Sequence, residues 1–186
     1  MSAIEQDIRS WSKEVLEVPN GHLNGLPACP YAKKAWMDNK VHVMEVDDII
    51  VSALKHRKMV LEDFDLLILA SYNTPSSTQL QKVIDATNLI CAHENLHFMC
   101  FHPDYGAEDA ELDFLYEHEW ESSVEEDYCM IFVQRLTDVD DKSRQLEKLG
   151  YYQAFNEGEY DSLVIQRRQL RNQYHGNETT SNEISR

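Results

Sequence analysis

Apolar residues recur along this chain at two different spacings, and the spacing changes several times. Ile4, Ile8 and Trp11 follow one another every three or four residues, which predicts an opening helix over about residues 3–18. Residues 66–70 and 98–101 are instead short continuous apolar runs, as is typical of strands that are covered on both faces. The chain therefore combines amphipathic helices with buried strands.

The same pattern predicts the remaining elements. Strands are expected at 41–46 and 129–133, with an edge strand at Leu163-Val164-Ile165. Helices are expected from Pro30, from Asp47 or Asp48 to about 62, from Ser76 or Ser77 to about 93, and over 138–149 with Gly150 as its stop. An acidic helical stretch precedes the strand at 129.

Helices and strands that alternate predict a single α/β domain with a mixed or mainly parallel sheet of four or five strands flanked by helices. A ferredoxin-like α+β arrangement of the same elements is the alternative, because sequence does not fix strand order. The domain is predicted to cover residues 1–171, and 172–186 form a polar tail that is predicted to be disordered.

Composition narrows the classes of partner. The 186 residues are 42% hydrophobic, which suffices for one core. Seventeen Lys and Arg against 33 acids give a net charge of −16, which argues against nucleic acids and anionic membranes as partners. With no apolar run of membrane-spanning length and no signal-like start, a cytoplasmic location is expected, and the four cysteines are then predicted to be free thiols. The oligomeric state is left open.

Two short motifs carry the candidate chemistry. Cys29-Pro30-Tyr31-Ala32-Lys33 lies in a loop, and Phe101-His102-Pro103-Asp104-Tyr105 ends an apolar strand. Ligands of open α/β sheets bind beyond the carboxyl ends of the strands, and the loop 71–77 should leave the second strand at that edge. Three loops are therefore expected to converge there. The predicted substrate-binding residues are Tyr31, Lys33, Asn73, Ser76 and Tyr105.

Cys29, His102 and Asp104 are the predicted catalytic residues. Cys29 precedes a helix, whose N-terminal amides favour a thiolate, and Lys33 and Lys34 lie one turn further on. His102 can serve as a general base, and Asp104 can orient it. Alternatively, His102 and Asp104 bind a divalent metal ion together with nearby acids, or both motifs are purely structural.

Other charged segments are weaker candidates. His93-Glu94-Asn95-Leu96-His97 matches the zincin pattern, but Asn95 favours a turn and Leu96 begins a strand, so the two histidines should not share a helix face. The basic cluster 55–58 is predicted to be a solvated helix face. Arg167, Arg168 and Arg171 are predicted to lie at the edge of a terminal strand.

The two motifs together resemble a family of bacterial proteins, a domain of unknown function, that is marked by Leu-Cys-Pro-Phe-Ala-Lys and Ser-Phe-His-Pro-Asp-Tyr segments. Residues 28–33 and 100–105 stand in those places, and residues 146–150 resemble the family's closing helix. The chain departs from the family pattern at 104–127, where eleven acids and no Lys or Arg replace a segment with Asn, Arg, Ser and Pro. The resemblance implies a shared site without a known reaction.

Three functions are compatible with these features. The first is a cytosolic enzyme that acts on a small molecule through Cys29, His102 and Asp104 at one edge of the sheet. The second is a metal-binding protein or metalloenzyme that uses His102, Asp104 and neighbouring acids. The third is a non-catalytic acidic interaction protein.

Overall fold

The computed structural model describes residues 2–103 and 128–174, so the acidic stretch between them and the end of the chain lie outside the described residues. Four strands form one mixed sheet: β1 (Val41–Glu45), β2 (Leu66–Ser71), β3 (Leu96–Phe101) and β4 (Cys129–Arg135). Their order is β1-β2-β4-β3. The α/β class with a mixed sheet is confirmed.

Helices precede β1, connect β1 to β2 and β2 to β3, and follow β4. They are α1 (Ala3–Trp11, continued by the π-helical turn Ser12–Leu16), α2 (Ala32–Met37), α3 (Ile49–His56), α4 (Met59–Glu62), α5 (Ser77–Cys91), α6 (Leu136–Lys148) and α7 (Glu157–Tyr160, continued by the π-helical turn Asp161–Ile165 and residues 166–174). Short 3₁₀ turns occur at Gly21–Leu23 and Ala92–Glu94. No helix in the described parts of the chain is long and apolar enough to cross a membrane.

Side chains alternate between two buried faces of the sheet. On one face, Leu67 and Leu69 of β2 pack with Phe98 of β3 under α3, α4 and α5. On the other face, Ile68 and Ala70 pack under α1 and Trp36 of α2. The continuous apolar run of β2 thus arises because both of its faces are covered.

Strand direction defines the edge at which the predicted site lies. β1 and β2 are parallel, with Val41 opposite Leu66, whereas β4 is antiparallel to both β2 and β3. β1, β2 and β3 therefore run in the same direction and end at the same edge. We call this the carboxyl edge; its residues are the loops 46–48 and 71–77, residues 102–103, and Tyr128 just before β4.

The prediction of an edge strand near the C-terminus is wrong. Leu163-Val164-Ile165 is helical rather than an edge strand, because a capping box formed by Asn156 and Glu159 starts a helix that continues through it. Val164 is fully buried, whereas Leu163 is 37% exposed, as expected for one buried stripe of a helix. The same helix runs to residue 174, three residues into the segment predicted as a disordered tail.

Candidate functional site

The loops of the carboxyl edge are tied to one another by hydrogen bonds. The Ser71 hydroxyl donates to the carbonyl of Asp47 at 3.1 Å, and the Asn73 side-chain amide donates to the same carbonyl at 3.2 Å. The Asn73 backbone N–H donates to the Ser71 hydroxyl at 3.1 Å. The Tyr72 and Tyr128 rings meet edge to face, 5.7 Å apart. The ends of β1 and β2 and the start of β4 thus form one connected surface.

His102 joins β3 to this surface. The residue is 8% exposed, and its Nε2 lies 2.8 Å from the carbonyl oxygen of Pro75 in the β2–α5 loop. A carbonyl can only accept a hydrogen bond, so Nε2 carries the proton and Nδ1 is the basic nitrogen of the neutral ring. The prediction that the end of β3 and the loop 71–77 lie side by side is therefore confirmed by geometry.

Two predicted substrate-binding residues of this loop have local partners. Ser76 is the N-cap of α5, and its hydroxyl accepts from the Gln79 N–H at 3.3 Å. The Asn73 amide holds the loop to Asp47, as described above. Both side chains belong to residues that are exposed at the edge, so these structural roles leave the predicted contact with a ligand untested.

Cys29 lies in a different set of contacts. Its N–H donates to the Leu16 carbonyl at 2.9 Å, at the end of the π-helical turn that continues α1. Burial raises the pKa of the Cys29 thiol, and this effect outweighs the amides of Tyr31 and Ala32 and the charge of Lys142, which lower it. A thiolate stabilised by the start of α2 is thus not favoured, because burial wins over the helix terminus.

The other predicted residues of the first motif contact α6 or solvent. The Tyr31 hydroxyl donates to Gln145 Oε1 of α6 at 3.2 Å, and the Lys142 ammonium lies 5.2 Å from the centre of its ring. Lys33 is exposed on α2. The Tyr151 hydroxyl donates to the Ala28 carbonyl at 2.6 Å, so this loop packs on α6 and the turn that follows it.

The predicted catalytic set is therefore only partly placed. The contacts described for Cys29 and those described for His102 share no residue. Asp104 and Tyr105 lie outside the described residues, as do the acids proposed as metal ligands. Within residues 2–103 and 128–174, no group of three or more His, Cys, Asp or Glu side chains could hold a metal ion.

The two histidines of the zincin-like pattern, His93 and His97, do not lie on one helix, so they cannot form a zinc site of that kind. His93 lies in a 3₁₀ turn, where its Nδ1 donates to the Ile90 carbonyl at 2.6 Å. Asn95 has a left-handed backbone with φ of 62°, and His97 lies in β3. The helix-to-strand boundary between the two histidines is confirmed.

Sequence reasoning missed a buried polar cluster between α6 and α7. Asp140 is fully buried, and its Oδ2 accepts from Arg144 at 2.9 Å and from Arg171 at 2.7 Å. Arg168 pairs with Glu147 at 2.7 Å. The prediction of a strand edge for these arginines is wrong, because they lie on a helix that packs against α6. The spacing of Asp140 and Arg144, four residues apart, was a usable signal.

The basic cluster 55–58 is likewise less solvated than predicted. Arg57 and Lys58 both pair with Glu94, at 2.9 and 3.6 Å, and so connect the end of α3 to the turn after α5. Lys55 is exposed.

Comparisons with known proteins add no further constraint: no family model matches the chain, and no curated protein or solved structure matches it either.

Proposed function

We propose that this protein is an enzyme that acts on a small molecule by acid–base chemistry at the carboxyl edge, with His102 as the group that transfers the proton. The observation that carries the proposal is the hydrogen bond of 2.8 Å between His102 Nε2 and the Pro75 carbonyl. This bond fixes the orientation of the ring and places the proton of the neutral imidazole on Nε2, and Nδ1 is the nitrogen to which we assign the role of base. Orientation of a histidine by a backbone carbonyl is a common feature of catalytic imidazoles.

The polarity of the edge limits the substrate. The carboxyl edge as defined above contains no Lys or Arg, and two of its residues, Asp47 and Asp48, are exposed carboxylates. An anionic substrate would meet only like charge from these side chains. A neutral or cationic small molecule is therefore the substrate class that we propose.

The resemblance to the bacterial family is part of the same proposal. In it, the His-Pro-Asp-Tyr segment supplies the shared site, and the orienting role predicted for Asp104 is filled by the Pro75 carbonyl, which accepts from the Nε2–H of His102. Cys29 is assigned no step in this mechanism, because its described contacts involve α1, α6 and Tyr151 rather than the carboxyl edge. Thiol catalysis by Cys29 and metal binding by His102 and Asp104 are the competing outcomes.

A turnover experiment with three proteins tests the proposal. Wild type, His102→Gln and Cys29→Ser are incubated with mixtures of neutral and cationic metabolites, and consumption is followed by mass spectrometry. Glutamine can still donate to the Pro75 carbonyl but cannot act as a base, so His102→Gln should fold and lose turnover by about a hundredfold or more. Cys29→Ser should retain turnover.

The competing functions give different results. Loss of turnover in Cys29→Ser with retention in His102→Gln would support thiol chemistry and contradict the proposal. Elemental analysis of the purified protein distinguishes the metal alternative: a stoichiometric metal that His102→Gln loses would replace acid–base chemistry with metal binding. An acidic interaction protein would show no turnover with any mixture.

A further inference from the structure

The two outer strands of the sheet, β3 and β1, differ on their free sides. On β3, the Asn88 side chain donates to the Phe98 carbonyl at 2.9 Å and accepts from the Phe98 N–H at 2.8 Å, so this side is closed. Strand β1 has β2 as its one neighbour among the described residues, and within 2–103 and 128–174 no side chain makes a hydrogen bond to the backbone of residues 41–45. We call the outer side of β1 the open edge.

Backbone groups of every second residue of β1 point to the open edge. The Lys40 carbonyl accepts from the Leu66 N–H at 3.1 Å, and the Val46 N–H donates to the Ala70 carbonyl at 2.9 Å. Even-numbered residues of this segment therefore face β2, because the direction of the backbone groups alternates along a strand. The residues that turn their N–H and C=O groups outward are Val41, Val43 and Glu45.

Strand β1 lacks the features that usually protect a free strand edge, which are proline, lysine, a bulge or an inward-pointing charge. Residues 41–44 contain no proline and no charged residue other than a histidine, and the pairing with β2 runs through all five residues of β1 without a bulge. Four of the five residues in β1 are half-buried, whereas five of the six residues in β2 are buried. The open edge is therefore accessible and suited to pairing with a further strand.

We propose that the open edge binds a second copy of this chain, so that two antiparallel β1 strands join two four-stranded sheets into one. A two-fold axis perpendicular to such a pair requires one residue to lie opposite its own copy. Val43 is the middle one of the three outward residues. Centring the pair on Val43 places Val41 opposite Glu45 of the partner subunit and lets all six outward N–H and C=O groups form hydrogen bonds. Assembly stops at two copies, because Asn88 closes the other outer strand.

The charges at the two ends of β1 support this antiparallel contact. Lys40 precedes the strand, and Glu45, Asp47 and Asp48 end it; all four are exposed, and none forms an ion pair with another residue in the described part of the chain. In an antiparallel pair, Lys40 of each copy lies beside the acidic end of the other copy, so opposite charges meet at both ends. A parallel pair would bring like charges together.

The oligomeric state of the full chain tests the proposal independently of the proposed acid–base function. Wild type is studied by analytical ultracentrifugation at about 0.15 M ionic strength, where charges more than about 8 Å apart are largely screened, because the net charge of −16 on each copy opposes association. We expect a reversible dimer at micromolar concentrations. In amide hydrogen exchange, the Val43 N–H should be more protected in the dimer than in the diluted monomer.

Substitutions at the two-fold axis locate the contact. Val43→Pro removes an outward N–H but no hydrogen bond to β2, so it should fold and should weaken the dimer by about tenfold or more. Val43→Thr is the matched control, because threonine keeps the N–H and suits a strand, and it should dimerise like wild type. Circular dichroism of each variant shows whether it has folded.

Charge variants test the orientation of the two strands. Lys40→Glu places like charges at both ends of the antiparallel pair and should weaken the dimer by about fivefold or more. Lys55→Glu changes the net charge equally at an exposed position of α3 and should keep the dimer. Asp47→Lys should also weaken the homodimer. A mixture of Lys40→Glu and Asp47→Lys restores opposite charges at both ends, so it should form a heterodimer more tightly than either variant forms a homodimer.

Four outcomes would overturn the proposal. They are a wild type that is monomeric even at about 100 µM, a complex larger than a dimer, a dimer that neither Val43→Pro nor Lys40→Glu weakens, and a monomer in which the Val43 N–H is as protected as in the dimer. The last result would show that the open edge is covered within one chain. If Val43→Pro does not fold, the three charge variants decide the question.

Discussion

Replacing Asn88 with alanine tests how β3, the edge strand that leads to His102, is held in place. Asn88 of α5 is 9% exposed. Its amide donates to the Phe98 carbonyl at 2.9 Å, and its Oδ1 accepts from the Phe98 N–H at 2.8 Å. These two backbone groups point away from β4, and among the described residues β3 is the last strand of the sheet. The side chain therefore supplies the hydrogen bonds that a neighbouring strand would make on this side.

The expected loss of stability follows from the two buried hydrogen bonds that Asn88→Ala removes together. Asn88→Ala leaves the Phe98 N–H and C=O without partners in a region where the Phe98 side chain is 1% exposed. Each unsatisfied buried group costs about 1 to 3 kcal/mol, so the free energy of unfolding should fall by about 2 to 4 kcal/mol once some water reaches the edge. Urea unfolding followed by circular dichroism measures this change, and amide hydrogen exchange should show weaker protection of Phe98.

Asp85→Ala is the matched control on the same helix. Asp85 is exposed and accepts from Gln81 at 2.7 Å, so its loss should change the free energy of unfolding by less than about 0.5 kcal/mol. The account of the edge strand is refuted if Asn88→Ala is no less stable than Asp85→Ala. It is refuted as well if the exchange protection of Phe98 is unchanged.

Three further predictions concern burial, backbone conformation and the thiol. Burial alone would raise the pKa of Asp140, but hydrogen bonds from Arg144 and Arg171 hold it below the ordinary value. Asp140→Asn should therefore lower the free energy of unfolding by about 2 to 4 kcal/mol at pH 7, as measured by urea unfolding. The difference from wild type should shrink as the pH falls below about 4, and a difference that does not change with pH would contradict the prediction. Gly150 has φ of 77°, and a Cβ there would lie 2.9 Å from Gln153 Nε2, so Gly150→Ala should lower the free energy of unfolding by about 1 to 2 kcal/mol in the same assay. Gly21→Ala is the control, because a Cβ at Gly21 would have no atom within 4 Å; an equally small effect of both substitutions would contradict the prediction. Alkylation of Cys29, followed by peptide mass spectrometry, should be slow at pH 7 and still accelerate above about pH 8.5, and a rate already maximal at pH 7 would contradict the raised pKa.

Several elements could be predicted because one local signal determines them. The β2 run is apolar at every position because both faces of the sheet are covered, and Ser76 caps α5 as its position before the helix indicates. The direction of β4 had no such signal. The sequence between residue 103 and β4 is long enough for β4 to run in either direction. The structure shows it antiparallel to both β2 and β3.

The errors have physical causes that can be named. The segment 163–165 has a strand-like composition, but the Asn156 capping box upstream starts a helix and was the better signal. The thiolate prediction for Cys29 considered the helix terminus and lysines nearby in sequence. Burial, which raises the pKa of Cys29, accompanies packing of this loop against Tyr151, over a hundred positions away in the sequence, and that contact has no local signature.

The most direct test of the central claim is an NMR titration of the ¹⁵N-labelled protein with a neutral or cationic compound selected by its stabilising effect on wild type. We expect the largest shift changes at the carboxyl edge, with a change at His102 Nδ1, and at least tenfold weaker binding by His102→Gln. Shift changes confined to the surroundings of Cys29, or equal binding by wild type and His102→Gln, would contradict the account.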